Sequence, residues 1–182
     1  MTAALADPPR DTARFFRAAM QAMARPGRIY QVDAPVPPAP LSPAAAALIL
    51  TLCDRTTPVH LAGTLDDAAV RDWLTFQTGA PLTRAEDATF AIGGWTALQP
   101  LDRFGIGTPD YPDRSATLIV EMADLTPKGT RLTGPGIEVE HHLNLPNPAA
   151  FQGNAARFPL GLDFFLTSGS RLAAVPRSTR IG

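Results

Sequence analysis

Arg177, Ser178, Thr179 and Arg180 place four donor-rich side chains in succession. Guanidinium groups and hydroxyls together can hold an oxyanion, and arginine is the better bidentate partner for phosphate-like groups. The plain alternative is a solvated basic tail. Arg25, at the end of an expected helix, is a second cationic candidate for the same anion-contacting edge. Arg25 and Arg177 also suit structural ion pairs. Asp163 interrupts an apolar run, so it needs an arginine or a set of backbone N–H groups as partner. Its expected role is to fix a hairpin against a neighbour.

Other chemistries are poorly equipped. The histidines are His60, His141 and His142. On an alternating strand over Ile137–Leu143, His141 and His142 point to opposite faces and cannot close on one metal. Glu140 and His142 share a face, but two ligands fall short of the three or four that a structural or catalytic site uses. No metal is expected. Ser168-Gly169-Ser170 does not form a G-x-S-x-G elbow. Gly105-Ile106-Gly107 lacks the third glycine of a dinucleotide loop, and there is no Walker loop. The one lysine, Lys128, lies in the turn signature Thr126-Pro127-Lys128-Gly129. An exposed turn lysine has no cause for the lowered pKa that imine chemistry needs. No cofactor is expected.

The elements that must position these residues follow from periodicity. Leu162–Leu166 and Leu172–Val175 are two nearly continuous apolar runs, separated by Ser168-Gly169-Ser170-Arg171. They read as a tight hairpin covered on both faces, in the middle of a sheet. Pro176 ends the second strand because it has no N–H for the ladder. The donor run would then sit at a strand end, where ligands gather in open α/β sheets. Upstream, residues 1–10 read as flexible. Asp11 can cap a helix to about Ala24, with Phe15, Phe16, Ala19, Met20 and Met23 on one face and Pro26-Gly27 as its stop. Ile29–Val32 is a short strand. Residues 33–43 carry five prolines and form a stiff arm suited to lying on a partner chain. Ser42-Pro43 starts a helix to Cys53 that is apolar almost all round, hence buried.

Pro58–Leu61 is a strand, and Asp66 or Asp67 opens a helix to about Gln77, stopped by Gly79. Strands follow at Thr89–Ile92 and Ala116–Met122, with a short helix at Leu98–Phe104 between them. Thr130–Thr133 and Ile137–Leu143 flank Gly134-Pro135-Gly136 as a hairpin. Asn147-Pro148 starts a last helix, to about Arg157. Helices mixed with single strands and hairpins give an α/β fold: one domain over residues 1–182, with a mixed sheet covered by helices.

Composition sets the outer bounds. The 182 residues suffice for one domain with a substantial core. At 45% hydrophobic and 18% charged residues the chain is too apolar for disorder. A net charge of −1 gives no global field for nucleic acid or an anionic membrane. Beyond Glu140, however, Asp163 is the one acid against Arg157, Arg171, Arg177 and Arg180, so the C-terminal part is locally basic. The single cysteine, Cys53, excludes an internal disulfide and suits a reducing cytoplasm. No apolar run approaches membrane-helix length.

Three blocks in order resemble the PhnH family, the H subunit of the bacterial carbon–phosphorus lyase system that breaks down phosphonates. They are Phe16-Arg17 with Met20 and Ala22-Met23-Ala24-Arg25-Pro26-Gly27; Ala116–Val120 followed by Leu132-Thr133-Gly134-Pro135-Gly136-Ile137; and Phe158-Pro159-Leu160-Gly161 with Val175-Pro176-Arg177-Ser178-Thr179. The resemblance implies a fold like that of pyridoxal-phosphate-dependent transferases without the cofactor, and because that fold is usually dimeric a homodimer is expected. It implies the G, I and J subunits as partners. It also implies a part in joining a phosphonate to the ribose of a nucleoside triphosphate, which gives ribose 1-phosphonate 5-triphosphate. The alternative reading is a purely structural interaction module without substrate contact. A self-contained phosphoryl-transfer enzyme has less in its favour, for want of a nucleophile, metal site or phosphate loop.

Overall fold

A computed structural model describes residues 7–182. The chain runs through α1 (Pro8–Ala24), β1 (Tyr30–Gln31), α2 (Pro43–Leu52), β2 (Val59–Leu61) and α3 (Ala68–Thr78). It continues through β3 (Phe90–Gly94), β4 (Thr117–Glu121), β5 (Thr130–Thr133), β6 (His141–Leu143) and α4 (Pro148–Ala155). It ends in β7 (Asp163–Ser168), β8 (Arg171–Val175) and β9 (Arg180–Ile181). Six strands make one mixed sheet in the order β1-β8-β7-β4-β3-β2, and β6-β5-β9 make a small second one. β2, β3, β4 and β7 are mutually parallel, whereas β8 is antiparallel to β7 and β1 to β8.

The continuous apolar runs of the β7–β8 hairpin are explained by two layers of cover. Phe165, Leu172 and Ala174 share a core with Phe15 and Ala19 of α1, Ala44–Ile49 of α2 and Val70 and Leu74 of α3. Phe164, Leu166, Ala173 and Val175 face the other way, onto Phe151 of α4, Leu132 of β5 and Leu143 of β6. There Trp95 stacks on Phe151 with ring centroids 5.3 Å apart, and Phe151 meets Phe164 at 4.6 Å. The domain is thus α/β, with helices on one face and α4 plus the small sheet on the other.

Caps behave as the residue types dictate. Ser42 accepts from the N–H of Ala45 and Asp67 from that of Ala69, and Gly79 closes α3 in the left-handed region. α1 starts earlier than its sequence signal. Asp7 accepts from the N–H of Arg10 while its own N–H donates to the carboxylate of Asp11 at 3.2 Å. Asp7 is therefore the cap, with Pro8-Pro9 in the first turn, and the flexible stretch expected over 1–10 is corrected at 7–10. Residues 1–6 lie outside the described ones. The proline-rich segment at 33–43 is extended only as far as Pro37; residues 38–41 form a turn in which the Leu41 N–H donates to Pro38 O at 3.1 Å, Pro43 begins α2, and Pro37 and Leu41 are buried within the chain itself.

Three further expectations are corrected. The helix at Leu98–Phe104 shrinks to a 3-10 turn, Leu101–Arg103, behind Pro100. The strand at Ile137–Leu143 is only His141–Leu143. Ile137 turns back onto Gly134 and Val139 is 75% exposed, because β5 needs only three partners there. Finally, the segment after Pro176 is no tail. It turns and re-enters the small sheet as β9.

Candidate functional site

Because β8 runs against the parallel strands, its end lies at their amino edge, beside Asp163, the first residue of β7. The carboxyl-edge argument for a ligand at Arg177–Thr179 therefore does not apply there. A turn closed by the Thr179 N–H donating to Pro176 O at 2.9 Å carries Arg177 and Ser178 at its centre. The Arg177 guanidinium points inward and is held on all sides. Its Nε donates to Asp163 Oδ1 at 3.2 Å, one terminal nitrogen donates to Asp163 Oδ2 at 2.5 Å and to the Ser115 hydroxyl, and the other donates to Pro112 O at 2.7 Å. The Arg177 backbone N–H also donates to Asp163, at 2.9 Å. Asp163 thus has both partners its sequence position called for, an arginine and a backbone N–H. A guanidinium so engaged fixes the turn and keeps few donors for an incoming anion.

What the turn offers outward is different. A cleft of about 240 Å³ is lined by Arg177, Ser178, Thr179, Arg180, Pro135, Ala155 and Phe158. Thr179 is 1% exposed, and its Oγ1 is buried without a hydrogen-bond partner. A buried hydroxyl left unpaired costs roughly 1–3 kcal/mol, so an oxygen-bearing ligand reaching it would be favoured. Arg180 is exposed at the rim.

Arg25 does not join this cleft. It lines two adjoining ones, of about 480 and 530 Å³, with Arg28 and His141. The His141 Nδ1 lies 2.6 Å from Pro26 O, an acceptor, which places the ring proton on Nδ1 and leaves Nε2 open. The Tyr30 hydroxyl, also on this side, is buried without a partner. The four candidates from the sequence are therefore divided: Arg177, Ser178 and Thr179 on one side, Arg25 on the other.

The wall between the two sides is Gly134-Pro135-Gly136. A side chain on Gly136, at φ +79°, would meet Ala24 O at 2.0 Å, and one on Gly134 would meet Ser178 O at 3.2 Å. Gly27 sits against Leu132 and His141, and its N–H donates to Ala174 O at 3.1 Å. The end of α1, the glycine-proline-glycine turn, Phe158 and the Arg177 turn, far apart in sequence, meet on one surface. Arg28 and Tyr30 join it without any sequence pattern that marked them, and closeness to Arg25 was the available signal; Arg180 belonged to the donor-rich run and Phe158 to a block of the resemblance. Glu140 is drawn to Arg131 at 2.6 Å, which holds its carboxyl below the usual range. Among the described residues no three His, Cys, Asp or Glu side chains converge as a metal site would need. Lys128 is exposed in its turn.

The chain matches the profile of the family described as bacterial phosphonate metabolism protein (PhnH) over residues 3–182. It is 38% identical to the alpha-D-ribose 1-methylphosphonate 5-triphosphate synthase subunit PhnH of Rhizobium meliloti, across 98% of this chain and 94% of the relative. It is also 31% identical, across 91% of this chain and 83% of the relative, to HtxG of Stutzerimonas stutzeri, provisionally described as a C-P lyase subunit.

Proposed function

We propose, from the premise that this chain belongs to the PhnH family of bacterial phosphonate metabolism proteins, that it is a subunit of a ribose 1-methylphosphonate 5-triphosphate synthase within a carbon–phosphorus lyase assembly. The observation that carries this reading is end-to-end similarity to the Rhizobium meliloti subunit. In this role the chain binds sister subunits of the G, I and J types in the cytoplasm, with homodimerisation as one mode of association. It supports the attachment of a phosphonate to a nucleoside triphosphate's ribose. The likeness to a pyridoxal-phosphate transferase fold is part of the same proposal; the mixed sheet supports it, and exposed Lys128 fits a fold that has no imine chemistry.

The anion-contacting edge is assigned to the Arg177 turn. Arg177 positions it through Asp163, Ser115 and Pro112, while Thr179, Ser178 and the rim cation Arg180 face the ligand. Arg25 serves the neighbouring cleft. Tagged sister subunits should capture the chain, and Thr179→Val should lower synthase turnover of the purified assembly without loosening it. Turnover of a phosphonate by the lone chain, or an assembly fully active without it, would overturn the proposal.

A further inference from the structure

A fourth cleft, of about 300 Å³, lies at the opposite edge of the main sheet, beside its outermost strand β2. His60, Asp66, Arg71, Arg84, Glu86 and Arg103 line it, with Leu61, Leu82 and Ala85 as an apolar floor. Its two acids are already matched. Arg71 holds Asp66 at 2.5 Å and Arg84 holds Glu86 at 2.9 Å. The Arg71 contact keeps the Asp66 carboxyl below its usual range. Arg103 is left over, with no carboxylate within 4.0 Å among the described residues.

Arg103 is nevertheless fixed in place. One terminal nitrogen donates to Ala97 O at 2.8 Å, and the guanidinium lies over the Phe104 ring at 5.0 Å. Its Nε–H is buried with no acceptor. An arginine held by packing, carrying an unmatched charge and an unused donor, is pre-organised for an anion. His60 supplies a second fixed group. Its Nδ1 lies 3.0 Å from Thr83 O, which can only accept, so the proton sits on Nδ1 and Nε2 stays open. Phe104 meets the His60 ring edge-on at 6.1 Å, so one aromatic side chain braces both groups.

We propose that this cleft binds a small oxyanion-headed metabolite that also carries a hydroxyl, with Arg103 as its charged anchor and His60 Nε2 accepting from that hydroxyl. The volume lies at the bottom of the range for ligand pockets, ~300–1,000 Å³, which suits a compact acid rather than a whole nucleotide. The site is separate from the Arg177 turn, which lies at the amino edge.

Titration of the purified chain with methylphosphonate, inorganic phosphate and glycolate, each with a hydroxyl near neutral pH, tests this, read by calorimetry and by the imidazole nitrogen signals of His60. Saturable binding of at least one probe is expected, with a shift of the His60 Nε2 signal. A phosphoryl-headed ligand would favour the first two probes, a carboxylic acid the third. Arg103→Met retains the packing over Phe104 and should weaken binding at least about tenfold. Thr179→Val should leave the His60 response unchanged, which separates this site from the one proposed above. Absence of saturable binding, or an unmoved His60 signal in the unaltered protein, overturns the proposal. So does a ligand-dependent His60 shift that survives Arg103→Met.

Discussion

At the scale of single residues, Arg177 and Asp163 show how a functional candidate becomes a structural lock. Their side chains are only 13% and 22% exposed, and the carboxylate accepts from both the guanidinium and the Arg177 N–H. Removing one member of such a pair leaves the other charge poorly solvated, at a cost of about 3 kcal/mol. Asp163→Ala should therefore lower the melting temperature by roughly 6–12 °C for a chain of this size, measured by calorimetry. An unchanged melting temperature with lost synthase activity would transfer Asp163 to the functional set. The paired role of Asp163 was legible in the sequence, because a carboxylate inside an apolar run has few other options. The inward turn of Arg177 was not. It depends on Pro112 and Ser115, which nothing in the local sequence connects to it.

At the scale of elements, the hairpin, the buried α2 and the caps of α2 and α3 were legible because periodicity and cap chemistry are local. The direction of β8 relative to the parallel strands is a long-range property, and with it went the expected carboxyl-edge location of the site. One junction of elements has a measurable pH signature. Glu121, at the end of β4, accepts from the N–H of Ser42 at the start of α2, at 2.7 Å, and from the Thr167 hydroxyl at 2.9 Å. Burial nonetheless pushes its carboxyl above the ordinary value of 4.5, and these hydrogen bonds only partly offset that. The folded state therefore holds this proton more tightly than the unfolded chain. Stability from this group is present below about pH 4.5 and is lost as pH rises through the raised folded value. Glu121→Gln keeps an acceptor for Ser42 and removes the charge. Its melting temperature relative to the unaltered protein should rise between pH 4 and pH 7, a span that brackets the ordinary glutamate range of about 4.3. A constant difference across that span would show that Glu121 carries no such cost.

At the scale of the whole molecule, the two sides of the main sheet form two cores joined through its strands. Cys53, at the end of α2, lies in the first of them at 8% exposure. Burial, with Asp54's charge adding to it, pushes its thiol up to about 12. The thiolate is the reactive species, so Cys53 should resist a thiol-specific reagent at pH 8 and react only as fast as the core opens. Labelling at the rate of a free thiol in the native protein would contradict the packing of α2.

The pairing of Tyr30 with Leu172 sets an order for synthesis. α1 emerges from the ribosome long before the strand that it covers, Arg171–Val175. Until then the Phe15–Ala19–Ala22 face has α2 but not the sheet to rest on. Domains generally fold as units, and sequence-distant pairings form slowly. Folding of this domain is thus tied to the emergence of β8, and nascent chains stalled before Val175 should be good clients for holdase chaperones.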